Sequence, residues 1–374
     1  MTSTTEPEAV PLPIDRVAIV GTGLIGTSIA MAAARAACTV RGWDTDPAVA
    51  ARAAARSAME ASRSLEEAVR DADLVVVCTP IEALAAAVVG SLRAAPGSLV
   101  VDAGSIKTHI VDRVAQLAPP SDVSRFVGGH PMGGTERSGP EHAAASVVDG
   151  IVWALTPTDA TAPATVARIE SWIDRIGARP VRLTPDRHDR LVAFASHLPQ
   201  VASTSLMGLA ATQEEGEPEI LLLAAGGFRD LTRLAASNPS LWTEILLANR
   251  EQVAGAIDLY VDRLRMLRDD LLGERRHDVV RTFEEAKHAR LRLATKATVR
   301  AGVAVLQVVI PDEPGALARI TTVLAEGAVN IEDLQIVHSP EGGRGTVHVT
   351  VAAGIGAGAA QVLTDAGYDP IRLA

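Results

Sequence analysis

From Ile14 onward, short apolar runs alternate with longer amphipathic stretches. Val17–Val20, Cys38–Trp43, Leu74–Cys78 and Ser98–Val101 read as strands, and Leu24–Arg35, Pro47–Ser57, Ile81–Leu92 and Lys107–Leu117 as helices. Phe126–Gly129 and Ile151–Leu155 continue the strand series. Short β-rich runs spaced by helices predict parallel β-α-β units with right-handed crossovers. After Leu183 the strands stop, and the chain reads as helical from Asp186 to about Arg300. Turn signals at Gly216–Pro218, Gly226–Gly227 and Asn238–Pro239 cut that stretch into several helices. Period-2 alternation returns at Val303–Ile310. A helix to Glu326, a strand over Asn330–His338, a glycine-rich hairpin at Gly342–Gly345, a strand over Thr346–Val351, a helix over Gly358–Asp365 and a last strand over Tyr368–Leu373 complete a β-α-β-β-α-β order. The expected organisation is a polar tail (1–13), an α/β domain (14–184), an all-helical domain (185–299) and a small βαββαβ domain (300–374).

Composition narrows the picture. A chain of 374 residues, 48% of them hydrophobic, has ample length for such cores without a disulfide or metal staple. The formal net charge of −10 argues against a nucleic-acid backbone binder, which would need a basic face, and leaves room for a small basic pocket for an anionic metabolite. Cys38 and Cys78 both sit in apolar runs and read as buried thiols in a reducing compartment, so a cytoplasmic location is expected. The segment Met1–Pro13 lacks the pattern of a signal peptide, and no run approaches 18 apolar residues, so no membrane span is expected.

Gly21-Thr22-Gly23-Leu24-Ile25-Gly26 follows the first strand and opens a helix. Gly21 permits the tight turn, Gly23 lets backbone amides approach a pyrophosphate, and Gly26 lets helix and strand pack closely. The helix N-terminus adds donors and positive dipole for the phosphates. Asp44 ends the second strand, 23 residues after Gly21, where a carboxylate binds a ribose 2′-hydroxyl and repels a 2′-phosphate. NAD is therefore the expected cofactor, held by Gly21, Gly23, Leu24, Ile25, Gly26 and Asp44. A plain helix cap is the structural alternative for Asp44. Thr79-Pro80 and Asp102-Ala-Gly-Ser105 close two further strands, at the rim where open α/β sheets bind ligands. Ser105 reads either as a contact to nicotinamide or substrate, or as an N-cap.

His130 falls at that same rim, in Gly128-Gly129-His130-Pro131-Met132-Gly133-Gly134-Thr135-Glu136. An imidazole with an ordinary pKa near 6.5 can take a hydroxyl proton as hydride leaves the same carbon. Glu136 either orients a ligand or is an exposed loop acid. His197, in Ser196-His197-Leu198-Pro199, is either a substrate ligand or a buried helix histidine, and Pro199 is expected to disturb its helix. Arg229 and Arg233 lie one turn apart, and an arginine in a cleft grips a carboxylate. His188 and Asp189 read as caps or hinge contacts. No metal-ligand spacing is present, so no metal is expected.

Taken together, Gly21–Gly26 with Asp44, Asp102–Lys107, His130–Glu136, Ser196–Pro199, Gly226–Arg233 and Trp242 resemble the prephenate dehydrogenase family, which includes arogenate and cyclohexadienyl dehydrogenases. The resemblance spans roughly Ile14 to Arg300. It implies oxidative decarboxylation of prephenate, or of arogenate, with hydride passing to NAD. It casts His130 as the base for the ring hydroxyl and Ser105 as the residue holding that hydroxyl. It casts His197 as a substrate contact and Arg233 as the grip on a substrate carboxylate, and it implies a homodimer through the helical domain. Asp312–Leu317 and Asn330–Leu334 make the last 75 or so residues resemble an ACT domain, a ligand-sensing module for which tyrosine is the expected effector. The alternatives are another NAD-dependent hydroxy-acid dehydrogenase, and a non-catalytic regulator that binds NAD and an amino acid.

Asp44→Ser is expected to relax discrimination against NADP. Cofactor preference unchanged in steady-state kinetics would show that Asp44 does not set it.

Overall fold

The computed structural model describes residues 13–133, 138–214, 216–294, 303–311, 313–338 and 344–373. Glu136, Asp312 and part of the expected hairpin at Gly342–Gly345 lie outside them. The chain divides into two compact units, 1–260 and 261–374, with the division falling within one long helix, Arg250–Leu272.

The first unit is built on an eight-stranded sheet: β1 Arg16–Val20, β2 Thr39–Trp43, β3 Glu60–Ala61, β4 Leu74–Val77, β5 Leu99–Asp102, β6 Phe126–Pro131, β7 Val152–Thr156 and β8 Arg179–Arg182. Its spatial order is β3-β2-β1-β4-β5-β6-β7-β8. The strand order reverses between β1 and β4, which opens a crevice at their carboxyl ends. β1 to β6 pair in parallel, and β4 and β5 are buried along their whole length, as a sheet covered on both faces requires. Two cores flank the sheet. One gathers Ile19, Ile29, Trp153 and Trp172, the other Val75, Leu84, Leu92 and Phe126.

Three features depart from the sequence reading. β7 runs antiparallel to β6, so the parallel series ends at β6. β8 pairs parallel with β7, and β3 adds a two-residue edge. Neither shows in the hydrophobic pattern, because Arg179–Arg182 and Glu60–Ala61 present mostly half-buried or exposed side chains.

Helices follow from Pro185–Val192 onward. Gly226–Thr232 packs on Leu198–Glu214, Pro239–Ala248 packs on the helix Ile81–Ala94, and Asn238 caps Pro239–Ala248 through its side chain. This stretch leaves leucines open: Leu222 and Leu223 are about four-fifths exposed, with Leu209, Leu241 and Leu247 also outward.

The second unit carries a four-stranded antiparallel sheet in the order β10-β11-β9-β12: β9 Val303–Pro311, β10 Asp333–His338, β11 Arg344–Ala352 and β12 Ile371–Arg372. Helices Ala316–Glu326 and Gly356–Asp365 cover one face, through Ile320, Leu324 and Leu363 against Leu306, Val308 and Val349. The expected βαββαβ order is what is observed. Among the described residues, no helix is long and apolar enough to cross a membrane.

Gly26 tests the packing of the first helix, Leu24–Arg35. A Cβ there would collide with the Gly21 carbonyl oxygen. Gly26→Ala is expected to lower stability by about 1–3 kcal/mol and to weaken nucleotide binding, read by thermal unfolding and by titration. An alanine variant as stable as the parent would show that the loop yields freely.

Candidate active site

Gly21 ends β1 at φ +91°, and a Cβ on it would lie 2.7 Å from the Cys78 carbonyl oxygen at the end of β4. Glycine is thus the residue the turn admits. Gly23 caps the helix Leu24–Arg35 with no side chain of its own, and a Cβ built on it would meet nothing within 4 Å. The start of this helix is therefore open on that side, and a helix N-terminus of this kind can receive a phosphate. Leu24 is buried under it, and Ile25 packs on the core beneath. Asp44 Oδ2 accepts from the Thr22 N–H at 2.8 Å, and Oδ1 from the Asp46 N–H at 3.0 Å. The carboxylate is held at the lip of the glycine turn. It does not cap the next helix: Asp46 does, accepting from Ala48 N–H at 2.9 Å. Thr79 Oγ1, at the end of β4, is buried with no hydrogen-bond partner among the described residues, and Pro80 starts the helix that follows. An orphaned hydroxyl beside an open cradle fits a dinucleotide.

Next along the rim, the carboxyl end of β5 carries Asp102, whose side chain is fully buried with that of Lys107. The Lys107 ammonium pairs with Asp102 Oδ2 and donates to the Gly129 carbonyl at 2.6 Å. Asp102 also accepts from the N–H groups of Gly104 and Gly129, each at 2.9 Å. A Cβ at Gly129 would crowd the Asp102 carbonyl and the Trp153 indole, which explains the glycine before His130. Burial pushes the Lys107 ammonium down from its usual range, and Asp102 and Asp189 work against that. This pair went unnoticed in the sequence. The scarcity of lysine (Lys107, Lys287 and Lys296 only) was the one available signal.

The helix Thr108–Leu117 begins here, and Ser105 does not cap it. The cap comes from far along the chain: Asp189 accepts from the Lys107 N–H at 2.9 Å and the Thr108 N–H at 2.8 Å. The same carboxylate lies 2.8 Å from His188 Nδ1, and His188 Nε2 lies 2.9 Å from His130 Nδ1. The two rings meet edge to face at 5.1 Å. Burial, reinforced by His188, Lys107 and His197, holds His130 well below the usual histidine pKa, so it is neutral at pH 7.

His197 closes a five-residue π-helical segment, Ala193–His197, in which the Leu198 N–H reaches back to Ala193. Pro199 accounts for it. Proline cannot donate to residue 195 and its ring would strike that carbonyl, so the helix widens by one residue. His197 is buried, with Asn249 Nδ2 3.2 Å from its Nδ1 and Trp242 edge-on at 6.1 Å. Asn249 also donates to the Asp189 carbonyl at 2.9 Å. Burial lowers the His197 pKa to about 4. Hydrogen bonds and charge thus bring His130, His188, Asp189 and His197 together. Arg229 and Arg233 lie exposed at the end of the helix Gly226–Thr232 and on the turn after it, which packs against Leu198–Glu214.

A sheet whose first strand ends in a glycine cradle, with a neutral histidine at the same rim and helices closing over it, defines a dinucleotide-dependent oxidoreductase with a helical second part. Residues 29–182 match the family described as prephenate dehydrogenase, nucleotide-binding domain, and residues 184–285 its dimerization domain; residues 304–366 match the ACT domain. The glycine turn precedes the first matched span, so its role rests on geometry. Cyclohexadienyl dehydrogenase of Zymomonas mobilis is 33% identical over 76% of this chain and 98% of its own length. Prephenate dehydrogenase of Bacillus subtilis is 29% identical over 90% of this chain and 92% of its own. The crystal structure of prephenate dehydrogenase from A. aeolicus, in complex with hydroxyphenyl propionate and NAD+, matches with a TM-score of 0.70 at 26% identity, covering 76% of this chain and all of that one. The chain belongs to the prephenate dehydrogenase family.

Breaking a buried ion pair strands its partner's charge. Lys107→Met is therefore expected to lose about 3–5 kcal/mol of stability, measured by chemical denaturation. A loss under about 1 kcal/mol would mean that Asp102 finds other compensation.

Proposed function

We propose that this chain catalyses the NAD-dependent oxidative decarboxylation of prephenate to 4-hydroxyphenylpyruvate. The observation that carries the reading is His130: neutral, at the carboxyl end of β6, on the rim that bears the glycine cradle and beside His197. His130 takes the ring hydroxyl proton as the hydride leaves the same carbon. Bound NAD supplies the hydride acceptor. The ring carboxylate then departs as carbon dioxide; its bonding electrons complete the aromatic ring, and the ring oxygen regains a proton. Ser105 holds the hydroxyl against His130, His197 contacts the substrate from the helical part, and Arg233 grips a substrate carboxylate. Glu136 orients the substrate. Alignment and a base are what the reaction asks of the protein. Asp44 favours NAD over NADP by repelling a 2′-phosphate.

Arogenate is the second reading, since it differs from prephenate only by an amino group in place of the keto group, away from the reacting carbon. The open leucines of the helical stretch are covered in a homodimer, as the match to a dimerization domain supports. The ACT domain senses tyrosine, the amino acid at the end of the route that this reaction feeds. The protein works in the cytoplasm.

The test is reduced-cofactor formation with prephenate and with arogenate, each with NAD and NADP, with and without tyrosine. Turnover with NAD is expected, and His130→Asn is expected to slow it by about 10²–10⁴-fold with NAD affinity unchanged. Silence on both substrates while NAD still binds would overturn the reading, as would a His130→Asn enzyme of normal rate.

A further inference from the structure

The geometry points to His188 as a positioning residue that sets which nitrogen of His130 carries the proton, leaving Nε2 of His130 free to accept one. The inference rests on the reading of His130 as the base. It starts from Asp189. Burial alone would raise the pKa of this carboxylate, but the hydrogen bonds from His188, Thr108 and Lys107 outweigh burial and hold it below the usual range. Asp189 is therefore ionised and can only accept. Two of its bonds come from the main chain, from Lys107 N–H and Thr108 N–H. The third partner, His188 Nδ1 at 2.8 Å, must donate. A neutral imidazole has one proton, so His188 Nε2 then offers a lone pair. That lone pair faces His130 Nδ1 at 2.9 Å, and the bond forms only if His130 carries its proton on Nδ1.

The consequence is directional. His130 Nε2 is the nitrogen left to accept a proton, and the other tautomer would present an N–H where a base is required. When His130 takes the substrate proton, the Asp189–His188 pair stabilises the imidazolium from behind through the same two bonds. The chain of groups is anchored at both ends. Asp189 holds the start of the helix Thr108–Leu117, and Asn249 ties the Asp189 carbonyl to His197. His188 and Asp189 are both buried, so water does not compete for these bonds.

The experiment uses the full-length protein labelled with ¹⁵N-histidine, saturated with NAD at about pH 8, above the ordinary histidine range. The signal of His130 is identified by its loss in His130→Asn. In the parent protein the proton is expected on Nδ1 of His130. In His188→Phe the proton is expected to move to Nε2, and kcat to fall about 10²-fold while KM and NAD affinity stay near those of the parent. His188→Gln, whose amide oxygen still accepts from Nδ1, is expected to recover most of kcat. A parent His130 protonated on Nε2 overturns the inference. So does a His188→Phe enzyme with normal kcat, or a slow one that keeps the proton on Nδ1. Should His188→Phe fail to fold, the parent tautomer and the glutamine variant decide. If His188→Phe is fast while His130→Asn is inactive, the inference falls and the base assignment stands; if His130→Asn turns over normally, the base assignment falls.

Discussion

The active rim depends on one buried ion pair. Asp102 and Lys107 are five residues apart, yet they join three elements: the end of β5, the start of the helix Thr108–Leu117, and the backbone of Gly129 in β6. Two charges taken from water are tolerable only when each is fully bonded. Here Asp102 collects the ammonium and two N–H groups, and Lys107 spends a further proton on the Gly129 carbonyl. Because both faces of Gly129 are held, the position of His130, the next residue, follows.

The same helix start links the sheet to the helices. Its first N–H groups need acceptors, and the acceptor is Asp189, supplied from more than eighty residues downstream. A capping requirement thereby brings His188 to His130 and, through Asn249, His197 into the same neighbourhood. Helix capping and histidine placement are consequences of one buried polar network, and burial depresses the basicity of His130 and His197. Such networks tolerate little loss, since each member left unpaired costs more than its bond contributed.

The cofactor side is organised more simply. Gly21 and Gly26 are dictated by backbone contacts, and Asp44 is held by its bond to Thr22. Local geometry accounts for nearly all of it, and for that reason the fingerprint could be read directly from residues 21–44.

What the sequence determined by itself was set by short-range physics: apolar periodicity gave β1, β2, β4, β5, β6 and β9, the glycine spacing gave the cradle, and Pro199 announced a disturbed helix at His197. The βαββαβ order of the second unit was legible for the same reason. The tertiary structure alone decided that β7 runs against β6, because strand direction depends on where the chain crosses the sheet, and that weakly patterned β3 and β8 join its edges. It also decided that Asp189, and not Ser105, caps the helix after β5, and that Lys107 is buried. Nothing local distinguishes His188 from a hinge residue. The role inferred for it rests on a 2.9 Å approach to a ring 58 residues earlier, and a separation of that kind exists only once the chain has folded.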